Sequence, residues 1–252
     1  MRHADYDQIA AVFDGNADRL DIPADGVLGR LLAHNPHARI LDVGCGTGNY
    51  AAVQQAAFAG GRWVGFDPSP EMLAVARGKI TAVISLAVVE SMPYPANSFD
   101  YAAANFTFHH FQDKTAALDE LTRVCKPDSL LRIHNVCPER MPNWWVYQLF
   151  PAAVAIDEQR FWSVERLAAG LEARGWVVEV EIEVRGVKRP LVELHTQIRN
   201  RDTSQIAILT PDEYAVGLAQ VEKQLAANPQ AMIEYEIAFL RCVATKRKRN
   251  NQ

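Results

Sequence analysis

The stretch ILDVGCGTGN, Ile40 to Asn49, restricts the fold more than any other part of the chain. A run of Ile, Leu and Val ends in an acid and then in Gly-Cys-Gly-Thr-Gly. This reads as a buried strand that turns sharply into a helix. Glycine admits positive φ and lets a ligand approach the backbone closely. The N-terminus of the following helix favours an anion or a polar acceptor. A dinucleotide turn needs G-x-G-x-x-G. Here the sixth position is Asn49, which speaks against a nicotinamide-dependent reductase.

The rest of the chain alternates strand and helix patterns. RWVGFD, AVISLAVV, SFDYAAANFTF and SLLRIHNV read as further strands. SPEMLAVARGK reads as a helix with Ser69 as N-cap and Pro70 in its first turn, and DKTAALDELTRVC as one capped by Asp113. Such alternation predicts an α/β fold, a doubly wound, seven-stranded, mostly parallel sheet of Rossmann-like type. All 252 residues are assigned to a single domain. Residues 1–35 are expected to form an N-terminal helical cover. Between two late strands, WVVEVEIEV and MIEYEIAFLRCVAT, residues 185–231 are too many for a bare loop. They read as a helical lid insertion, whose main helix is opened by a capping box of Thr210 and Glu213 with Pro211 at the first helical position.

Composition narrows the partners. The net charge of -4 calls for no nucleic acid, and the basic end TKRKRNNQ reads as a solvated tail. Four scattered cysteines without a C-x-x-C pair argue against a zinc site or a disulfide framework. The N-terminal residues lack the apolar core of a signal peptide. The most apolar stretch, WWVYQLFPAAVAI, is shorter than the roughly 20 residues that span a bilayer. The expectation is a cytoplasmic protein without stable membrane insertion, as a monomer or homodimer.

In open α/β sheets ligands bind beyond the carboxyl ends of the strands. Asp67 ends the second strand, where its carboxylate can accept hydrogen bonds from two ribose hydroxyls, each worth about 1.5–3 kcal/mol. The ligand therefore reads as a nucleoside without a pyrophosphate. ILDVGCGTGNYA, VGFDPSPEMLAVAR, ESMPYPANSFDYAAANFTFHHF and ALDELTRVCKPDSLLRI resemble, in order, the motifs of class I S-adenosylmethionine-dependent methyltransferases, and most of all their type 11 small-molecule group. The resemblance spans about Tyr6 to Val136. It is specific for fold and cofactor and weak for substrate, since the group methylates O, N, C and S atoms.

The resemblance implies that S-adenosylmethionine is the cofactor, leaving as S-adenosylhomocysteine. Asp42 and the turn of Gly44, Cys45, Gly46 and Gly48 would face its methionine part. Asp67 would bind the ribose, Met72 would pack near the adenine, and Ser91 and Met92 would lie along the adenine edge. Asn105 and Phe106 would stand beside the methionine amino group and the transferable methyl. The chain departs from the family pattern twice. The acid that holds the adenine amino group is replaced by Val88, with Glu90 or a backbone carbonyl as the substitute. The K-P-G-G turn appears as Lys126-Pro127-Asp128-Ser129, which turn-tolerant Asp can support.

Methyl transfer needs a nucleophile held in line with the C–S bond, and orientation alone can supply up to about 7–11 kcal/mol. No covalent intermediate and no metal is required. For a hydroxyl acceptor, His110 and His109 are the candidate general bases; the alternative is that either caps a helix or binds a backbone carbonyl. Tyr6 and Phe13 belong to a leading segment that in the family folds over the cofactor, or else pack the N-terminal helix. Trp144, Trp145 and Tyr147 suit the wall of an apolar small-molecule acceptor, or burial under the lid or at a subunit contact. His195 and Arg199 could meet a polar or acidic substrate, or lie on a solvated lid surface. The reading from another class is a non-catalytic relative that binds S-adenosylmethionine, motivated by Val88.

Overall fold

In the computed structural model the described residues are 6, 7, 10–15 and 22–248. A 3-10 turn, Ala10–Gly15, leads to α1 (Gly26–His34), β1 (Arg39–Val43), α2 (Asn49–Ala57), β2 (Arg62–Asp67), α3 (Pro70–Arg77), β3 (Val83–Leu86) and β4 (Phe99–Asn105). Then follow α4 (Lys114–Val124), β5 (Cys125–Val136), α5 (Trp145–Leu149), α6 (Ala152–Arg160), α7 (Val164–Glu172) and β6 (Trp176–Pro190). The helices α8 (Leu191–Arg199), α9 (Ser204–Ala207) and α10 (Pro211–Ala227) separate β6 from β7 (Met232–Lys246). The seven strands form one sheet in the order β3-β2-β1-β4-β5-β7-β6. Each ladder among β1 to β5 is parallel. The α/β architecture expected from the alternating pattern is present.

By contacts the chain divides into two compact units, one holding the described residues of 6–135, 164–181 and 241–248, the other 136–163 and 182–240. In the first unit β1 and β4 are buried almost throughout, as strands covered by helices on both faces must be. Leu28 and Leu32 of α1, Tyr50 and Ala51 of α2, and Ile40, Trp63, Tyr101 and Ala103 of the strands form a continuous core on one face. Strand order reverses between β1 and β4. The crevice at that switch, beyond the strands' carboxyl ends, is where such a sheet takes its ligands.

Local signals account for the helix starts. Ser69 Oγ accepts from the Met72 N–H, and Asp113 accepts from Thr115 and Ala116. In the second unit Thr210 and Glu213 exchange the two bonds of a capping box at α10. One boundary differs from expectation. β5 begins at Cys125, not after the Lys-Pro-Asp-Ser turn, because Phe99 pairs with Cys125 and Tyr101 with Leu130. The intervening residues form a bulge, with Asp128 at a φ of 61°.

Candidate functional site

The site grows from the turn between β1 and α2. Gly44, Gly46 and Gly48 all have positive φ, at 62°, 53° and 82°. A Cβ on Gly44 would lie 2.3 Å from Thr107 Oγ1, so only glycine fits beneath β4's exit loop. A Cβ on Gly46 would meet nothing within 4 Å, so that face of the turn is open. Cys45 is buried, and its Sγ would lie 3.1 Å from a Cβ placed on Gly65.

Two carboxyl groups flank this turn. Asp67, at the end of β2, accepts from the Gly46 N–H on Oδ2 and from the Ser69 N–H on Oδ1, each at 2.9 Å. Burial raises its pKa above the ordinary value; the Ser69 and Gly46 N–H groups oppose the rise and Asp7 adds to it. It forms no ion pair among the described residues. Asp42 in β1 is buried, and its Oδ2 has no hydrogen-bond partner among the described residues. Burial, then the charge of Asp67, push its pKa up to about 7, against the stabilising Ala51 N–H.

At the end of β4, Asn105 Oδ1 accepts from Arg132 at 3.3 Å. Phe106 has a φ of 53°, a left-handed conformation costly for a bulky residue. Its N–H donates to the His134 carbonyl at 2.7 Å, and its ring, 38% exposed, lies edge-on to the His134 imidazole at 4.7 Å. The next turn, Phe108–His110, buries His109 and leaves His110 half-buried. The two imidazoles are 3.8 Å apart between centroids. Tyr6 Oη lies 2.7 Å from His110 Nε2, and the Phe13 ring packs edge-on to Tyr6 at 6.1 Å.

The leading segment is fastened to the turn by a residue the sequence did not single out. Asp14 Oδ1 accepts from Thr47 Oγ1 and Asn49 Nδ2, both at 2.8 Å, and Oδ2 from Lys79 Nζ at 2.5 Å. Burial would raise the Asp14 pKa, but the bonds from Lys79, Thr47 and Asn49 hold it below the ordinary value. Asp7 takes a further bond from Ser69 Oγ. No periodicity marks these acids. The signal available was only an acid just before Gly15.

Met72 is buried in α3 and Met92 beyond β3, while Ser91 is exposed. Glu90 Oε1 accepts from the Gln112 and Asp113 N–H groups, so this oxygen supports the start of α4. Val88 is 46% exposed.

The remaining candidates belong to the second unit. Trp144, Trp145 and Tyr147 are buried there in edge-on ring contacts. Tyr147 Oη donates to Asp157 at 2.8 Å, and burial followed by the Asp157 charge raises its pKa far above the ordinary range. Trp144 Nε1 is buried without a hydrogen-bond partner among the described residues. On α8, His195 Nε2 and Arg199 both face Glu222 of α10, at 3.6 and 3.4 Å.

A family model described as a methyltransferase domain matches residues 41–133, from β1 through most of β5. The chain is 30% identical over 177 residues to a demethylmenaquinone methyltransferase of Thermus thermophilus, covering 59% of this chain and 79% of that protein. It is 41% identical over 90 residues to a demethylmenaquinone methyltransferase of Chlorobaculum tepidum, covering 35% of this chain and only 37% of that protein. Among solved structures, Bacillus subtilis YcgJ superposes with a TM-score of 0.63 at 18% identity, covering 93% of this chain and all of that one. The matched region carries the glycine turn, Asp67 and the β4 exit described above. By its fold and by its likeness to the Thermus protein, the chain belongs to the class I S-adenosylmethionine-dependent methyltransferases.

Proposed function

We propose that this chain transfers a methyl group from S-adenosylmethionine to a small-molecule acceptor, at an O, N or C nucleophile, by in-line displacement. Asp67 carries the reading. Its carboxylate ends β2, forms no ion pair among the described residues, and is oriented by two backbone N–H groups beside the open face of Gly46. Each oxygen keeps a lone pair for a ribose hydroxyl.

The chain's residues fit the cofactor. The partnerless Asp42 Oδ2 offers an acceptor near the turn for the cationic methionine end. Gly44, Cys45, Gly46 and Gly48 provide the backbone cradle, and Met72, Ser91 and Met92 border the adenine. Val88 supplies an apolar contact there, with Glu90 Oε2 as the substitute acceptor. When bound, S-adenosylmethionine supplies an electrophilic methyl on a sulfonium.

Asn105 and Phe106 border the reacting end. With its proton on Nδ1, neutral His110 accepts from the Tyr6 hydroxyl, and in that tautomer a proton released by an acceptor hydroxyl can pass through Tyr6 to Nε2. His109, buried against His110, holds that ring in place. Phe13 and Tyr6 close the leading side; of the cover expected over 1–35, residues 1–5, 8, 9 and 16–21 lie outside the described residues. Of the insertion 185–231, residues 185–190 extend β6 and α8 to α10 make up the helical lid, while Trp144, Trp145 and Tyr147 are the aromatic residues suited to an apolar acceptor. His195 and Arg199 serve its polar edge.

The Thermus and Chlorobaculum relatives are named for demethylmenaquinone. Those names and the exposed Phe106 ring favour an apolar aromatic acceptor. No helix among the described residues is long and apolar enough to cross a membrane, and all four cysteines are free and buried. These features suit a cytoplasmic enzyme, as a monomer or homodimer.

Isothermal titration with S-adenosylmethionine, paired with a methyl-transfer screen on hydroquinone acceptors, tests the reading. Binding with turnover supports it. Binding without turnover on any acceptor favours the non-catalytic alternative, and absence of binding overturns it.

A further inference from the structure

The core face of the first unit contains a charged residue that the reaction described above does not use. Arg132, in the middle of β5, is only 8% exposed. Its Nε lies 3.3 Å from Asp25 Oδ2, and its Nη1 donates to Asn105 Oδ1 at 3.3 Å. In the parallel ladder Arg132 stands opposite Ala103, and Asn105 is two residues further along β4, on the same face. The guanidinium thus spans from the interior to the strand end at the crevice.

Asp25 does not need Arg132 for hydrogen bonding. Oδ1 takes the N–H groups of Val27 and Leu28, and Oδ2 takes the hydroxyls of Tyr50 and Tyr101. Burying a guanidinium is costly, and apolar residues of similar volume often serve stability as well or better. The reach to Asn105 is what an apolar residue could not supply. Guanidinium carries donors and no acceptor. The amide atom facing it must therefore be oxygen, which fixes the orientation of the Asn105 carboxamide. Its Nδ2 donates to no described residue, and Asn105 is partly exposed.

We propose that Arg132 is a positioning residue that holds Asn105 with its N–H2 pole toward the crevice, where, instead of facing the methionine amino group as the resemblance implies, it donates to the carboxylate of the methionine end of the bound cofactor. This rests on the methyltransferase reading above. Asp25 anchors the guanidinium, and the ladder places Asn105 at the strand's exit.

Calorimetric titration with S-adenosylhomocysteine and with 5′-methylthioadenosine, which lacks the amino-acid end, tests the proposal. Arg132→Lys keeps a charge beside Asp25 but cannot span both partners with one fixed fork. Arg132→Lys and Asn105→Ala should each weaken S-adenosylhomocysteine about tenfold and leave methylthioadenosine unchanged. The double variant should bind no worse than the weaker single one, because the effects share one route. Additive losses, or equal losses for both ligands, overturn the proposal. Asn105→Asp, which leaves the Arg132–Asp25 pair intact, guards against a folding defect in the Arg132 variant. It still offers Arg132 an acceptor but turns a carboxylate toward the ligand. It should lose at least tenfold for S-adenosylhomocysteine, and unchanged affinity overturns the proposal. If the unchanged chain binds neither compound, the methyltransferase reading fails and this proposal with it.

Discussion

The Tyr6 hydroxyl and the His110 imidazole are in direct contact, Oη to Nε2, at 2.7 Å, although 104 positions separate them in the chain. A residue of the leading segment thereby reaches the histidine just past β4. Removing the hydroxyl by Tyr6→Phe should slow methylation of a hydroxyl acceptor by about 10²-fold, the low end for a proton-transfer group. His110→Ala should slow it at least as much. Both should leave the dissociation constant of S-adenosylmethionine within about threefold. Full activity of either variant with an O-acceptor removes that residue from the proton path.

Asp67→Ala should weaken S-adenosylmethionine by about 2–4 kcal/mol, through loss of bonds to a charged acceptor in a largely buried position. Asp67→Asn should recover only part of this, since the neutral amide also loses one acceptor. Titration calorimetry reads both directly. An unchanged dissociation constant would take Asp67 out of the ribose site.

Asp42 makes stability depend on pH. Its folded pKa is about 7, against an ordinary value of 3.8. Below the ordinary value the carboxyl is protonated whether folded or not. Between the two values the folded chain keeps a proton that the unfolded chain has released, so stability falls as pH rises, by up to about 1.4 kcal/mol per unit. Above pH 7 the loss is complete. Asp42→Asn should flatten that slope in denaturant titrations run from pH 5 to 8. A cationic ligand favours the ionised carboxylate, so S-adenosylmethionine should bind more tightly at pH 8 than at pH 6. S-adenosylhomocysteine keeps the same ammonium end and should change in the same direction.

Val88→Asp should restore an acid where the family pattern has one. Val88 is already 46% exposed, so the substitution removes little buried apolar surface. One bond from the adenine amino group to a carboxylate should tighten cofactor binding about tenfold. A competition assay with adenosine and inosine should show the gain for adenosine alone. Equal gains for both would point to a general charge effect.

The fold was legible because its determinants are local. Ser69, Asp113 and Thr210 cap helices through bonds reaching three residues or fewer. The glycine turn announces its positive φ by composition. The bulge after Cys125 was not legible, because it is set by pairing with Phe99 and Tyr101 across the sheet. The same distinction applies to the site. Asp67 could be read from its place at a strand end. Asp14, Asp25 and Arg132 could not, since each draws its role from partners at least 25 positions away. A single acid or arginine in one sequence carries no mark of such distant company. Nor did the residue types of Tyr6 and His110 foretell that they would bond each other.

Asp14 joins three donors from the glycine turn and the end of α3 to the 3-10 turn of the leading segment, and one of those donors is the ammonium of Lys79. This Lys79 leg is partly exposed, at 27% and 31% for the two side chains, so dissolved salt reaches it. Ionic strength thus acts on the clasp itself. Concentrated salt should weaken this one leg and leave the neutral Thr47 and Asn49 legs in place, so the clasp loosens by steps rather than all at once.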